Sequence, residues 1–99
     1  MLNVIVKKKM DAAVFTLVTA KGNARDCIWQ SYLQFQPLRE TDFPNELKTK
    51  WNVLQNKLSA DNNEATKVQY WLNKLSLDEC IEIAELINDL DAEINVKYE

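Results

Sequence analysis

The side chains with most chemistry in this chain are carboxylates. Glu82, Glu85 and Asp89 follow one another at offsets of three and four, and Asp89 and Glu93 repeat the offset of four, the spacings that stack side chains on one helix face. Carboxylates so placed can hold a metal in a helical bundle, but the best-known sites of that kind add histidine. This chain has none. It therefore also lacks the side chain whose ordinary pKa lies nearest neutrality, and no base stands ready to activate a Ser, Cys or Lys nucleophile. A lone glycine, Gly22, forms no glycine-rich phosphate cradle. No catalytic residue, metal ligand or cofactor site is expected, and the reading is a non-enzyme.

The acids carry a different chemistry. From Asp78 to Glu99 eight acids face Lys97 alone, a local charge of −7, so an overall charge of −3 leaves the first 77 residues at +4. An acidic helix can dock on a basic partner or imitate the phosphates met by a DNA-binding protein, and such a field raises association rates and weakens with salt. The same acids also read as an ordinary solvated face. Rings add a second hint: Tyr70 and Trp71 are adjacent, so on a helix they point about 100° apart, and one small core does not easily take both. Ile28 with Trp29 and Leu86 with Ile87 widen their stripes likewise. Aromatics concentrate at interface centres, although partly exposed rings are also normal. Tyr70, Trp71, Glu82, Glu85 and Asp89 are therefore the candidate partner-binding residues, for a protein partner or a second copy of the chain.

The opposite pole is basic: Lys7, Lys8, Lys9, Lys21 and Arg25. It supports an alternative, a small dimeric DNA-binding transcriptional regulator whose helix-turn-helix would use the turn at Lys21–Asn23. Three successive lysines point around a helix rather than along it, and a pI near 5 runs against nucleic-acid binding, which favours a basic domain.

These residues need elements to position them. Ninety-nine residues with 46% hydrophobic content and only Gly22, Pro37 and Pro44 as breakers predict one domain, residues 1–99, of a few long helices rather than many strands. Met10, Val14, Leu17 and Val18 predict a helix over about 3–20 that stops at Gly22, with Leu2–Val6 left open as strand, arm or helix. Asn23 caps a second helix running to about Gln36, with Ala24, Cys27, Ile28, Ser31, Tyr32 and Phe35 on one face, and Pro37 ends it. Thr41 or Asp42 is expected to cap a third helix with Pro44 in its first turn. Leu47, Trp51, Leu54 and Leu58 form its seam. Ser59–Glu64 reads as a polar loop, followed by a helix over 65–75. Ser76 and Glu79 make a capping box for a fifth helix whose apolar face is expected at Leu77, Ile81, Ala84, Ile87, Leu90 and Ile94.

Cys27 and Cys80 fall on apolar faces and are expected to be buried free thiols in a reducing compartment. Lys7–Lys9 follow rather than precede the short apolar start, unlike an export signal, and no run approaches the ~20 apolar residues of a membrane span, so the expected location is cytoplasmic.

Three segments taken in order, Ala20-Lys21-Gly22-Asn23-Ala24-Arg25, then Asp42-Phe43-Pro44-Asn45-Glu46-Leu47 with Leu58-Ser59, then Leu75-Ser76-Leu77-Asp78-Glu79 leading to Ile83-Ala84-Glu85-Leu86-Ile87, resemble a group of small uncharacterised all-helical bacterial proteins. The resemblance covers most of the chain, but its motifs are caps and core positions. It implies a bacterial origin and a helical fold, and no activity. The expectation is an all-α bundle of four to five amphipathic helices acting as a non-enzymatic protein–protein interaction module of bacterial or phage origin. An inhibitor, an immunity- or antitoxin-type partner, or an accessory subunit would fit.

Overall fold

The computed structural model of the chain describes residues 4–58 and 65–97. Among them are five α-helices and one 3-10 turn: α1 (Val4–Thr19), α2 (Ala24–Phe35), the turn Glu40–Asp42, α3 (Asn45–Leu58), α4 (Ala65–Leu72) and α5 (Leu77–Lys97). No strand occurs among the described residues, and the fold is an all-α bundle of 36 × 27 × 20 Å. The polar loop expected at Ser59–Glu64 lies outside the described residues, as do Leu2 and Asn3. Of the start left open, Val4, Ile5 and Val6 are helical.

The caps are local sequence events. Gly22 takes φ +122°, where a Cβ would stand 2.8 Å from Asp26 Oδ2, so this turn needs glycine. The Asn23 side chain then accepts from Asp26 N at 3.0 Å and starts α2. At Ser76 both halves of the capping box form: Glu79 N donates to Ser76 Oγ at 3.2 Å, and Ser76 N donates to Glu79 Oε1 at 3.4 Å. Neither Thr41 nor Asp42 caps α3. Both lie in the 3-10 turn, where Asp42 Oδ2 accepts from Arg39 N at 2.8 Å, and α3 begins just after Pro44, whose carbonyl accepts from Leu47 N. α4 stops at Leu72 rather than 75, because the last carbonyls turn to tighter bonds: Lys74 N to Trp71 O and Leu75 N to Leu72 O. The Leu75 carbonyl in turn accepts from Nε and Nη2 of Arg25, so this basic residue ties α2 to the α4–α5 turn instead of standing free.

α1 and α2 form an antiparallel hairpin. The buried Ser31 Oγ donates to Ala13 O at 2.8 Å, whereas the other hydroxyl on the α2 apolar face, that of the buried Tyr32, has no partner among the described residues. α5 runs antiparallel to α1, with Lys7 and Asp11 at Asn95. It also runs antiparallel to α3, with Lys50 at Glu93 and Lys57 at Glu82.

The core joins Val6, Met10 and Ala13 of α1 to Ile28, Tyr32 and Phe35, to Leu47, Trp51, Leu54 and Leu58, and to α5. A chain of rings, Trp29–Tyr32–Phe35–Trp51–Phe43, crosses it at centroid distances of 6.0, 5.4, 5.8 and 4.5 Å, within the range of favourable aromatic pairing. Val18, expected inside, is 74% exposed.

α5 departs most from expectation. Its buried line is Cys80, Ile83, Ile87, Leu90 and Ile94, while Leu77 and Ile81 are 60% and 46% exposed. Both lines have helical spacing and share their last three members, so periodicity could not choose between them. Packing chose: α5 lies against α1, α2 and α3, and the line through Cys80 and Ile83 is the one this bundle buries.

Among the described residues no helix is long and apolar enough to cross a membrane.

Candidate functional site: a groove between α3 and α5

α3 and α5 lie side by side, and their outer edges leave an open groove of about 290 Å³ lined by Val53, Lys57, Glu82, Glu85, Leu86 and Asp89. The floor is apolar. Val53 stays 40% exposed at the edge of the α3 seam, and Leu86 rests half-buried on the core. The walls are charged. Glu82, Glu85 and Asp89 are exposed on successive turns of α5 because the buried line through Ile83, Ile87 and Leu90 turns them outward. Lys57 alone among the lining residues is cationic, and its Nζ is held 3.1 Å from Glu82 Oε2. Glu85 and Asp89 keep their charge turned to solvent. Farther along the same seam Lys50 meets Glu93 at 3.2 Å.

The groove gathers the three acids singled out in the sequence. Trp71 sits beside it: its indole Nε1 donates to Lys57 O at 3.0 Å, which satisfies one of the orphan carbonyls at the α3 C-terminus and leaves the ring 38% exposed. Tyr70, 64% exposed, is not part of the lining. Its ring lies under the Lys74 ammonium, 4.2 Å from the centroid. The adjacent rings diverge as expected, one to each side of α4.

Sequence reasoning missed a second polar cluster, on the opposite flank of α5. Asn95 bridges two carboxylates, donating from Nδ2 to Asp11 Oδ1 at 3.0 Å and to Asp91 Oδ2 at 3.2 Å, and accepts from Lys7 Nζ at 2.6 Å. Asp91 is buried, and its Oδ1 has no partner among the described residues. Burial first, then the bond and charge of Asp11, push the Asp91 carboxyl up to about 7. Asp11 moves the other way, below the usual carboxylate range, chiefly because Asp91 bonds to it. Below about pH 7 the pair holds one proton, carried on Asp91, with Asp11 ionised. A signal was available: Asp91 directly follows Leu90 and precedes Ile94 by three, inside the buried arc.

Cys27 and Cys80 are free thiols, the first half-buried and the second buried. Both line an apolar pocket of about 210 Å³ with Leu17, Ala24, Ile28, Ile81 and Ala84. The Cys27 thiol donates to Ala20 O at 3.4 Å, and burial raises the Cys80 thiol above its ordinary value. A thiol so raised is a poor nucleophile. Among the described residues no three His, Cys, Asp or Glu side chains gather as a metal-binding group.

Searches of protein-family models, of curated proteins and of solved structures find no match to the chain.

Proposed function

We propose that this chain is a non-enzymatic interaction protein whose α3–α5 groove receives a basic, partly apolar segment of another protein. One observation carries the reading: Glu82, Glu85 and Asp89 line an apolar-floored groove in which Lys57 is the only lining cation among the described residues. Apolar contact on Val53 and Leu86 would supply affinity. Glu85 and Asp89, which have no ion-pair partner among the described residues, would supply rate and specificity, as charge complementarity usually does. Trp71, at the end of the groove and already oriented by its bond to Lys57, offers a partner a preformed aromatic surface at little entropic cost. An inhibitor, an immunity- or antitoxin-type protein, or an accessory subunit of bacterial or phage origin, acting in the cytoplasm, would use such a surface.

The test is capture from host lysate on the immobilised chain, followed by mass spectrometry, with wild type beside a triple variant carrying Glu82→Gln, Glu85→Gln and Asp89→Asn. The reading expects a partner that wild type retains, that moderate salt releases and that the triple variant loses. A partner held equally by both forms contradicts it.

The DNA-binding alternative gains no observation in its favour. Arg25 is engaged at Leu75 and Lys7 at Asn95, which takes two of the five basic residues it relied on.

A further inference from the structure

α1 is apolar on two opposite sides. Val6, Met10 and Ala13 face the core. Val4 and Phe15, 65% and 67% exposed, face away from it. At 100° per residue, Val4, Lys8, Asp11 and Phe15 fall within an arc of roughly 60°, centred nearly opposite the buried trio. Their offsets are four, three and four, the spacing of a helix–helix seam. A helix that is apolar on both sides normally has something on each.

The order of this outer seam is apolar, cation, anion, apolar. Read backwards it is apolar, anion, cation, apolar, so an antiparallel copy of the same seam complements it position by position. Such self-complementarity is what an isologous two-fold interface requires. We infer that two copies of this chain pair through the outer face of α1, antiparallel about an axis between Lys9 and Met10. Val4 of each copy then packs on the partner's Phe15, and Lys8 of each faces the partner's Asp11. Asp11 already accepts from Asn95 Nδ2 at its Oδ1, but its carboxyl is held below the usual range and so stays ionised, and a carboxylate has lone pairs for a second donor. Lys8 is exposed, and Asp11 is half-exposed. The seam uses no residue of the α3–α5 groove, so this inference stands or falls independently of the proposed partner.

Four seam residues per copy bury less than the ~800 Å² each side of a standard interface contributes, so the dimer is weak and forms in the range of about 10–100 µM. Sedimentation velocity from 5 to 500 µM reads it directly. Wild type is expected to shift from monomer to dimer. Phe15→Ser and Lys8→Glu, both at exposed positions, should each weaken dimerisation at least tenfold with unchanged far-ultraviolet circular dichroism. A monomer at 500 µM, or a dimer undiminished in both variants, overturns the inference. The register has its own readout. Mixing chains carrying Val4→Cys with chains carrying Phe15→Cys under mild oxidation should give an inter-chain disulfide between the introduced thiols, which Val4→Cys chains alone should not form. A dimer that cross-links equally in both samples, or in neither, overturns it as well.

Discussion

α5 presents carboxylates on two flanks, and the two flanks treat them differently. Toward α1, Asp91 is buried beside Asp11 and Asn95, with one oxygen unpartnered among the described residues. Toward α3, Glu82, Glu85 and Asp89 stand in water over an apolar floor. The residue type is nearly the same, and exposure decides its role. A buried carboxyl is coupled to folding, because ionising it without full compensation is costly. An exposed one contributes little to stability, so it is available to shape the field that a partner meets. One helix thus holds the bundle together on one side and remains chemically open on the other.

The largest test of this division removes packing from the buried line. Ile87→Ala, at a fully buried site, should cost about 2–5 kcal/mol in denaturant unfolding. Ile81→Ala, at a position that periodicity alone would place in the same core, should cost less than about 1 kcal/mol because Ile81 is 46% exposed. Equal losses would mean that the buried line of α5 is misassigned.

Next in size is the carboxyl pair. The folded-state pKa of Asp91 is raised from 3.8 to about 7. The native state therefore holds a proton that the unfolded chain releases, so the stability this group contributes is fully present below about pH 4 and is lost as pH rises through about 7. The loss between pH 5 and pH 8 should be on the order of 2 kcal/mol. Asp91→Asn imitates the protonated carboxyl, with an amide that can donate to Asp11, and should flatten this slope and leave the variant more stable than wild type at pH 8. A wild-type profile flat from pH 5 to 8 in chemical denaturation would remove the contrast between the two flanks.

Smaller effects belong to the caps and the groove. Ser76→Ala deletes the hydroxyl that receives Glu79 N and should cost about 1 kcal/mol. Lys57→Ala breaks an exposed pair, with the lysine side chain 48% and the glutamate 59% accessible, and should change stability by less than about 0.5 kcal/mol. A larger loss would show that the groove is structural.

The helices themselves were legible because their signals are local. Asn23, Gly22 and Ser76 with Glu79 act where they stand, and the seam of α3 at Leu47, Trp51, Leu54 and Leu58 is buried as its spacing predicts. The divergence of Tyr70 and Trp71 followed from helix geometry alone, as did the outward set of Glu82, Glu85 and Asp89. What failed was everything decided by a neighbour. Leu77 and Ile81 satisfy the α5 period as well as Cys80 and Ile83 do, and only contact with three other helices separates them. Asp42 has the right chemistry for an α3 cap but bonds to Arg39 N. Arg25 belonged to a basic pole until Leu75, fifty residues away, came within reach of it. Asp91 hid in a run of acids because local charge gives no sign of burial.

The most direct test of the groove as the receptive surface is a nuclear magnetic resonance titration of the isotope-labelled chain with a helical lysine–leucine peptide. The account predicts salt-sensitive shifts concentrated at Val53, Lys57, Glu82, Glu85, Leu86, Asp89 and the Trp71 indole, with Asp11, Asp91 and Asn95 unmoved. Shifts centred on the α1–α5 flank, or spread over the surface and indifferent to salt, would contradict it.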